Sequence, residues 1–407
     1  MSTPERRTGR RRWEQGPEAG QAVTSPEVLE QVRLRALGRD GGLSEVDLAS
    51  AVQATGSVIG SRTTTEMVQN LSRDIHGLGL LEEFARQPGV TDVLVDGQGR
   101  IWVDGAEGLK PSGSGFSDPA ALRALAVRFA AAAGRRLDDA QPFVDLTLGN
   151  YRVHAVLPPI STGGTLISVR VKRTVRPELA VLIDPARPDW LQALRAIVAA
   201  RLNFLVSGGT GAGKTTLLAA MLAGVPANER IIVVEDSAEL TPQHPHLIGL
   251  QARGGNVEGA GEVGLNMLVR QSLRMRPDRL VVGECRGAEI GDFLGAMNTG
   301  HEGAAGTVHA NSVQAVPARL LAMGALAKMD PQATTLQTVS ALDLLIHVAR
   351  DARTGVRHPV QLGRLVLNPA GTLEVQVICE LGAPAQESEA LDWFRGRLQS
   401  RGAASPW

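Results

Sequence analysis

The segment SGGTGAGKTT, residues 207–216, carries the spacing G-x-x-x-x-G-K-[ST] in Gly208, Gly213, Lys214 and Thr215. Its residue types suit one task, the holding of a polyphosphate. Gly208, Gly209, Gly211 and Gly213, with the small Thr210 and Ala212 between them, let backbone N–H groups turn inward, and Thr216 continues into the helix that follows. A helix N-terminus adds partial positive charge. Lys214 is placed to reach the β- and γ-phosphates, and the Thr215 hydroxyl to ligate Mg²⁺. Only four of the 42 basic residues are lysine (Lys110, Lys172, Lys214, Lys328), so a lysine at the required position is informative here.

Phosphoryl transfer to water also needs a carboxylate to orient or deprotonate the nucleophile. Two apolar runs end in one. RLVVGE closes on Glu284, and IIVVED closes on Glu235 and Asp236. If both runs are parallel strands, their ends share the sheet edge at which open α/β sheets bind ligands. For either carboxylate alone, a structural cap or an ion pair is a fair competitor; beside the glycine-rich loop that competitor weakens. The stretch GHEGAAGTVHAN holds His301 and His309. Without cysteine neighbours their spacing fits a polar group near the γ-phosphate better than a zinc site. His76, His244 and His347 read as surface or satisfied core.

Positioning these groups requires strands alternating with helices. LQALRAIVAAR, NFLVSG, TTLLAAMLAG and RIIVVED give helix, apolar strand, helix and apolar strand, followed by LNMLVRQSLRM, RLVVGE, EIGDFLGAMNT and GAAGTVHA. Strands apolar on both faces indicate a parallel sheet covered on both sides. A final strand pair is expected near residues 342–348 and 363–377. Upstream, TDVLVDG, RIWVDG, FVDLTL, YRVHAVL and TLISVRV read as short strands, interrupted by one helix near residues 118–134 that opens at Asp118-Pro119 and closes at Gly134. The expected organisation is a disordered Arg-rich tail over 1–25, a helical segment over 26–77, an α+β domain over 78–172, a Pro-rich linker over 173–189, a larger α/β domain over 190–383 and an exposed tail over 384–407.

Composition excludes several classes. At 407 residues with 43% apolar content the chain is long enough for two or three folded units. Lys+Arg 42 against Asp+Glu 42 leaves no net charge to draw it to nucleic acid or anionic lipid. Aromatic residues at 3% supply few stacking platforms for single strands, which argues against a nucleic-acid motor. Two cysteines make neither a disulfide framework nor a four-cysteine zinc site. No run is apolar enough to span a membrane, and the reading is cytoplasmic. No segment matches the guanine-reading Asn-Lys-x-Asp, so ATP is the expected nucleotide.

Several blocks resemble the ATPases of type II and type IV secretion systems, most closely the CpaF/TadA-type ATPases of tight-adherence pili. Residues 268–312, LVRQSLRMRPDRLVVGECRGAEIGDFLGAMNTGHEGAAGTVHANS, are similar to that family's Walker B and His-box block, including glycine immediately before Glu284. VVEDSAEL is similar to its Asp box, LQARGGNVEGAGEV to the connection after it, and GRRLDDAQPFVD with YRVHAVLPP and ISVR to its N-terminal domain. The resemblance implies a RecA-like C-terminal P-loop domain behind a smaller α+β domain. It implies Glu284 as catalytic carboxylate, Glu235 as an acid near Mg²⁺ or water, and His309 as the His-box imidazole. Arg152 and Arg170 match arginines that approach the phosphates when the two domains close. Of Arg270, Arg274 and Arg276, around the Walker B strand, at least one is expected to pair with an acidic neighbour or cross a subunit boundary. The implied assembly is a homo-hexamer working on an inner-membrane platform protein, with no specific nucleic acid and only indirect membrane contact. The absent four-cysteine module favours the tight-adherence branch over the type II branch; the type IV secretion traffic ATPase is the alternative.

Overall fold

The computed structural model describes residues 77–105, 108–172, 177–253, 261–351 and 354–407. The expected Arg-rich tail and nearly all of the expected helical segment before residue 78 lie outside them, as does most of the connection after residue 253. The chain divides into two compact units, residues 1–173 and 174–407.

The first unit is built on a six-stranded antiparallel sheet. Its strands are β1 (Asp92–Val95), β2 (Arg100–Asp104), β3 (Lys110–Gly115), β4 (Phe143–Leu148), β5 (Tyr151–Val156) and β6 (Leu166–Val171), ordered β3-β2-β1-β6-β5-β4. Along β4, β5 and β6 buried and exposed positions alternate, the mark of a sheet with one face on a core. That core is covered by α1 (Leu81–Ala85) and α2 (Pro119–Ala132). Helix α2 starts where the sequence sets a cap and a proline: Asp118 accepts a hydrogen bond from the Ala120 N–H at 2.8 Å, with Pro119 in the first turn. The strand β3 escapes a sequence reading because KPSGSG has neither alternation nor β-formers. It is an exposed edge strand, where a proline costs no ladder bond.

The second unit holds an eight-stranded sheet of β7 (Phe204–Gly208), β8 (Ile231–Glu235), β9 (Leu247–Gln251), β10 (Arg279–Cys285), β11 (Ala305–His309), β12 (Leu344–Arg350), β13 (Arg357–Leu367) and β14 (Leu373–Glu380). The order is β14-β13-β12-β7-β11-β10-β8-β9. The six strands from β12 to β9 are parallel, while β12, β13 and β14 pair antiparallel. Alternate residues of one strand enter different cores. Phe204 and Val206 pack with α3 (Pro188–Ala199), α4 (Lys214–Leu222) and α9 (Glu389–Ser400), whereas Leu205 packs with α5 (Leu265–Ser272), α6 (Glu289–Asn298) and α7 (Val316–Leu326). Helix α8 (Pro331–Ala341) follows α7 and is capped by Asp330. Burial on both faces is the reason that β7, β8 and β10 read as unbroken apolar runs.

Two sequence expectations need correction in this unit. Residues 363–377 are not one strand: a turn at Asn368, where Asn368 Oδ1 accepts from the Ala370 and Thr372 N–H groups, splits them into the ends of β13 and β14. Residues 384–407 are not an exposed tail. Ser388 caps α9, and Ala390, Leu391, Phe394 and Leu398 enter the core at helical spacing. Trp407 then lies edge-on to Trp190, centroids 6.0 Å apart, and donates its indole N–H to Asp189 at 2.6 Å. The charged residues interleaved through EALDWFRGR hide that apolar stripe. Phe394 is fully buried, so Phe394→Ala should cost about 3–5 kcal/mol. Urea unfolding followed by circular dichroism checks this; an unchanged midpoint would mean that α9 does not hold the core.

Candidate nucleotide site

The parallel register brings the chemical residues to one sheet edge. Gly208 ends β7 and is the register partner of His309, which ends β11. Ala310 N–H also donates to the Gly208 carbonyl at 3.3 Å. One strand further, β10 carries Glu284 near its end, and its neighbour β8 ends at Glu235. Thus Gly208, His309, Glu284 and Glu235, each singled out by the sequence, stand on four consecutive strands.

After β7 the chain turns through Gly209–Gly213 into α4. Gly211 and Gly213 have φ of +68° and +97°, the left-handed conformation that a side chain disfavours. A Cβ at Gly209 or Gly211 would meet nothing within 4 Å, so the loop backbone is open to a ligand. The Lys214 ammonium donates to the carbonyls of Gly208 and Gly209 at 3.1 and 3.0 Å. Burial pushes its pKa below the ordinary lysine value of 10.5; Arg286 adds to that effect and Glu284 opposes it. Beneath the loop, buried Ser207 and His347 share a 2.9 Å hydrogen bond, and burial, with Lys214 nearby, lowers the imidazole pKa. Of the two places the sequence left open for His347, surface or satisfied core, it takes the core.

Glu235 is buried, and its carboxylate accepts from the Glu239 N–H at 3.2 Å and the Leu240 N–H at 3.0 Å. It presses on Gly283: a Cβ there would lie 2.5 Å from Glu235 Cγ. The glycine before Glu284 therefore makes room for Glu235, since a side chain there would force Glu235 to shift. Thr307, buried on β11, donates to the Gly283 carbonyl at 2.7 Å and fixes the backbone just before Glu284. Glu284 is partly exposed and accepts from Arg286 at 2.5 Å. Glu289, at the start of α6, accepts from the N–H groups of Arg286 and Gly287 and secures that turn.

Other expected residues are placed as follows. His301 follows α6 and packs its Nδ1 against the Ala296 carbonyl at 3.2 Å, whereas His309 is the histidine beside the loop. Arg270 pairs with Asp292 at 2.9 Å, and Arg274 donates to the Arg270 carbonyl. Arg276 has φ +55° after α5. Arg152 and Arg170 belong to the first unit, where they are cross-strand partners on β5 and β6. Arg152 makes two bonds to Asp145, at 3.1 and 2.7 Å, and Arg170 one to Asp92 at 3.0 Å. Burial raises the Asp145 pKa, but the Arg152 guanidinium outweighs it and holds the carboxyl below the ordinary range. Sequence reasoning missed Arg286, Thr307, Glu289 and Arg357, whose Nε donates to the Gly211 carbonyl at 2.7 Å. Of these only Arg286 had a signal, its position two residues beyond Glu284.

The donors present are hard oxygens, the Thr215 hydroxyl and the Glu284 and Glu235 carboxylates, beside an open backbone cradle and an ammonium. This set fits a nucleoside triphosphate with Mg²⁺. Among the described residues, no group of three His, Cys, Asp or Glu could hold a metal unaided. A magnesium ion here would take most of its oxygens from substrate phosphates and water, and the Thr215 hydroxyl is the protein oxygen the loop offers it.

Fold and site together define a P-loop nucleoside triphosphatase. The profile of the family described as "Type II/IV secretion system protein" matches residues 74–382, and the chain belongs to that family as one of its ATPases. It is 54% identical over 316 residues to a protein named "Putative conjugal transfer protein" of Mycobacterium tuberculosis (strain ATCC 25618 / H37Rv), covering 74% of this chain and 89% of the relative. It is 33% identical over 323 residues to the type IV secretion system protein PtlH of Bordetella pertussis (strain Tohama I), covering 71% and 94%. The crystal structure of the pilus retraction motor PilT with bound ADP shares the fold, with a TM-score of 0.50 and 19% identity over 81% of this chain and 90% of that one. Among the described residues no helix is long and apolar enough to cross a membrane.

Two outcomes are expected. Gly283→Ala should displace Glu235 and lower kcat by about 10- to 100-fold, read as phosphate release from protein of native circular dichroism; unchanged turnover would refute the steric argument. Because burial already depresses Lys214, ADP affinity should fall on the alkaline side before pH 10.5 is reached. Glu284→Gln removes the charge that opposes the depression, so its alkaline limb should move to lower pH. A limb that stays in place or moves up, in fluorescent-ADP titrations, would contradict the coupling.

Proposed function

We propose that the chain is a hexameric motor that hydrolyses ATP at this loop and transmits domain closure to an inner-membrane platform protein, powering pilus assembly or retraction or protein secretion. The observation that carries the reading is the meeting of Lys214, Thr215, Glu284, Glu235 and His309 at one edge of a parallel sheet. In the reaction, water attacks the γ-phosphorus while Glu284 orients it and accepts its proton. The bond to the β-γ bridging oxygen breaks, giving ADP and phosphate. Lys214 and the loop amides hold the charge that develops on the phosphate oxygens. Bound Mg²⁺ would neutralise β- and γ-oxygens, with Thr215 among its ligands. His309, next to Gly208, is suited to hydrogen-bond phosphate or water.

Arg152 and Arg170 of the first unit are the arginines that this reading brings to the phosphates on closure. A guanidinium supplied only in the closed state makes hydrolysis depend on movement. This reading puts the hinge at the division between residues 173 and 174; the later part of the expected linker over 173–189 is not free chain, since Ile183 is buried in the second unit's core and Arg187 donates to the Ala383 carbonyl at 2.9 Å. The placement is cytoplasmic, with the membrane reached through the platform protein. Resemblance of the Walker B and His-box block, and the lack of a four-cysteine module, support the tight-adherence CpaF/TadA type. The names of the relatives in M. tuberculosis and B. pertussis favour a second reading, a traffic ATPase of conjugation or type IV secretion. The two share the site and differ in partner.

Phosphate release should require Mg²⁺ and an assembly of six subunits, measured with sedimentation on the same samples. Glu284→Gln should lower kcat by about 10²- to 10⁴-fold with ADP binding retained, and Lys214→Ala should weaken binding as well. Full activity in a monomer, or in Glu284→Gln, would overturn the proposal. Co-purification with a tight-adherence platform protein rather than a conjugation channel decides between the two readings.

A further inference from the structure

The loop has a second flank. Glu284 and Glu235 lie on the β11 side of β7, which the proposed function makes the reacting end. On the opposite side β7 pairs with β12, whose last residues run beside the loop: a Cβ on Gly208 would lie 2.5 Å from the Val348 carbonyl. Beyond it, Arg350 ends β12 and Arg357 opens β13 as its register partner. Both are exposed, and neither has a carboxylate partner among the described residues. The Arg357 side chain runs along Gly213, its Cδ 3.2 Å from where a Cβ would stand, and donates Nε to the Gly211 carbonyl at 2.7 Å. That single bond pins the guanidinium to the mouth of the loop and leaves both Nη groups uncommitted.

A nucleoside triphosphate is an elongated ligand. With the γ-phosphate towards Glu284 and the β-phosphate over the N-terminus of α4, its nucleoside lies towards the β12–β13 flank. We propose that Arg357 binds the nucleoside end of the nucleotide, its Nη groups facing the ribose hydroxyls and the purine, with Arg350 as the neighbouring cation. A planar guanidinium suits both contacts, as a hydrogen-bond fork for hydroxyls and a flat cation for a purine face. Arg357 is then a specificity residue: it gives the loop a preference for a nucleotide over a bare polyphosphate. The inference rests on nucleotide binding at the P-loop, which Lys214→Ala tests separately.

The test measures equilibrium binding of ATP, ADP and inorganic tripolyphosphate, with kcat and KM for ATP, in the full chain and in Arg357→Gln and Arg357→Lys. Arg357→Gln should raise the Kd for ATP and ADP by about 10-fold, the size of a lost charge-assisted contact. Tripolyphosphate affinity should change by less than about 2-fold, and KM should rise about 10-fold with kcat nearly constant. Equal weakening of ATP and tripolyphosphate would show that Arg357 acts only by bracing Gly211, and would overturn the proposal. So would unchanged ATP affinity in both variants. If Arg357→Gln does not fold, Arg357→Lys serves: it keeps the charge but loses the fork, and the proposal expects a smaller loss confined to ATP and ADP. Comparing ATP with ribose 5-triphosphate separates purine from ribose contact, since only purine contact makes the variant's loss larger for ATP.

Discussion

The contact between Glu235 and Gly283 sets the geometry of the reacting end. Parallel strands about 4.8 Å apart normally carry side chains that keep neighbouring carboxylates at a distance. Here one strand gives up its side chain so that the acid of the next can lie across it, held by the Glu239 and Leu240 amides. Glu284 follows at once on the same strand, with Thr307 clamping the carbonyl between them. Two acids, one buried and bonded, the other partly exposed beside Arg286, are thereby given unlike surroundings. That inequality ties one acid to the backbone and leaves the other, on the proposed reading, for water.

Much of this was legible in the sequence. The glycine-rich loop, the two apolar runs ending in acids and the alternation of helices with strands are local patterns, and local patterns are what periodicity and spacing record. Glu284 and Glu235 could be picked out because each ends an apolar run, and His309 because it stands among small residues in a block that resembles the His box. What escaped was of two kinds. Arg357 and Thr307 reach the site only through the sheet order, which places β11 on one side of β7 and β12, then β13, on the other, and has no trace in the linear sequence. Helix α9 and β3 were hidden for the opposite reason: charged residues, or proline and glycine, obscure their local pattern, and tertiary contacts decide their state.

The first unit shows a different economy of charge. Arg152 and Arg170 sit directly across from one another, an arrangement that is unfavourable on a sheet by itself. Asp145 and Asp92 offset it, each engaging one guanidinium on a partly exposed surface where ion pairs are worth about 0–1 kcal/mol. A polyanion would need to displace little to take over the two guanidiniums.

The packing of Trp407 against Trp190 and Phe394 also bears on how the second unit can be observed. Of the five tryptophans, Trp190, Trp393 and Trp407 gather around α9, while Trp102 belongs to the first unit. Indole emission shifts to the red when a ring moves from a packed interior into water. The protein therefore carries a built-in optical reporter of whether α9 stays docked, readable in the native chain without a label against the emission of Trp102 and of Trp13, which lies outside the described residues.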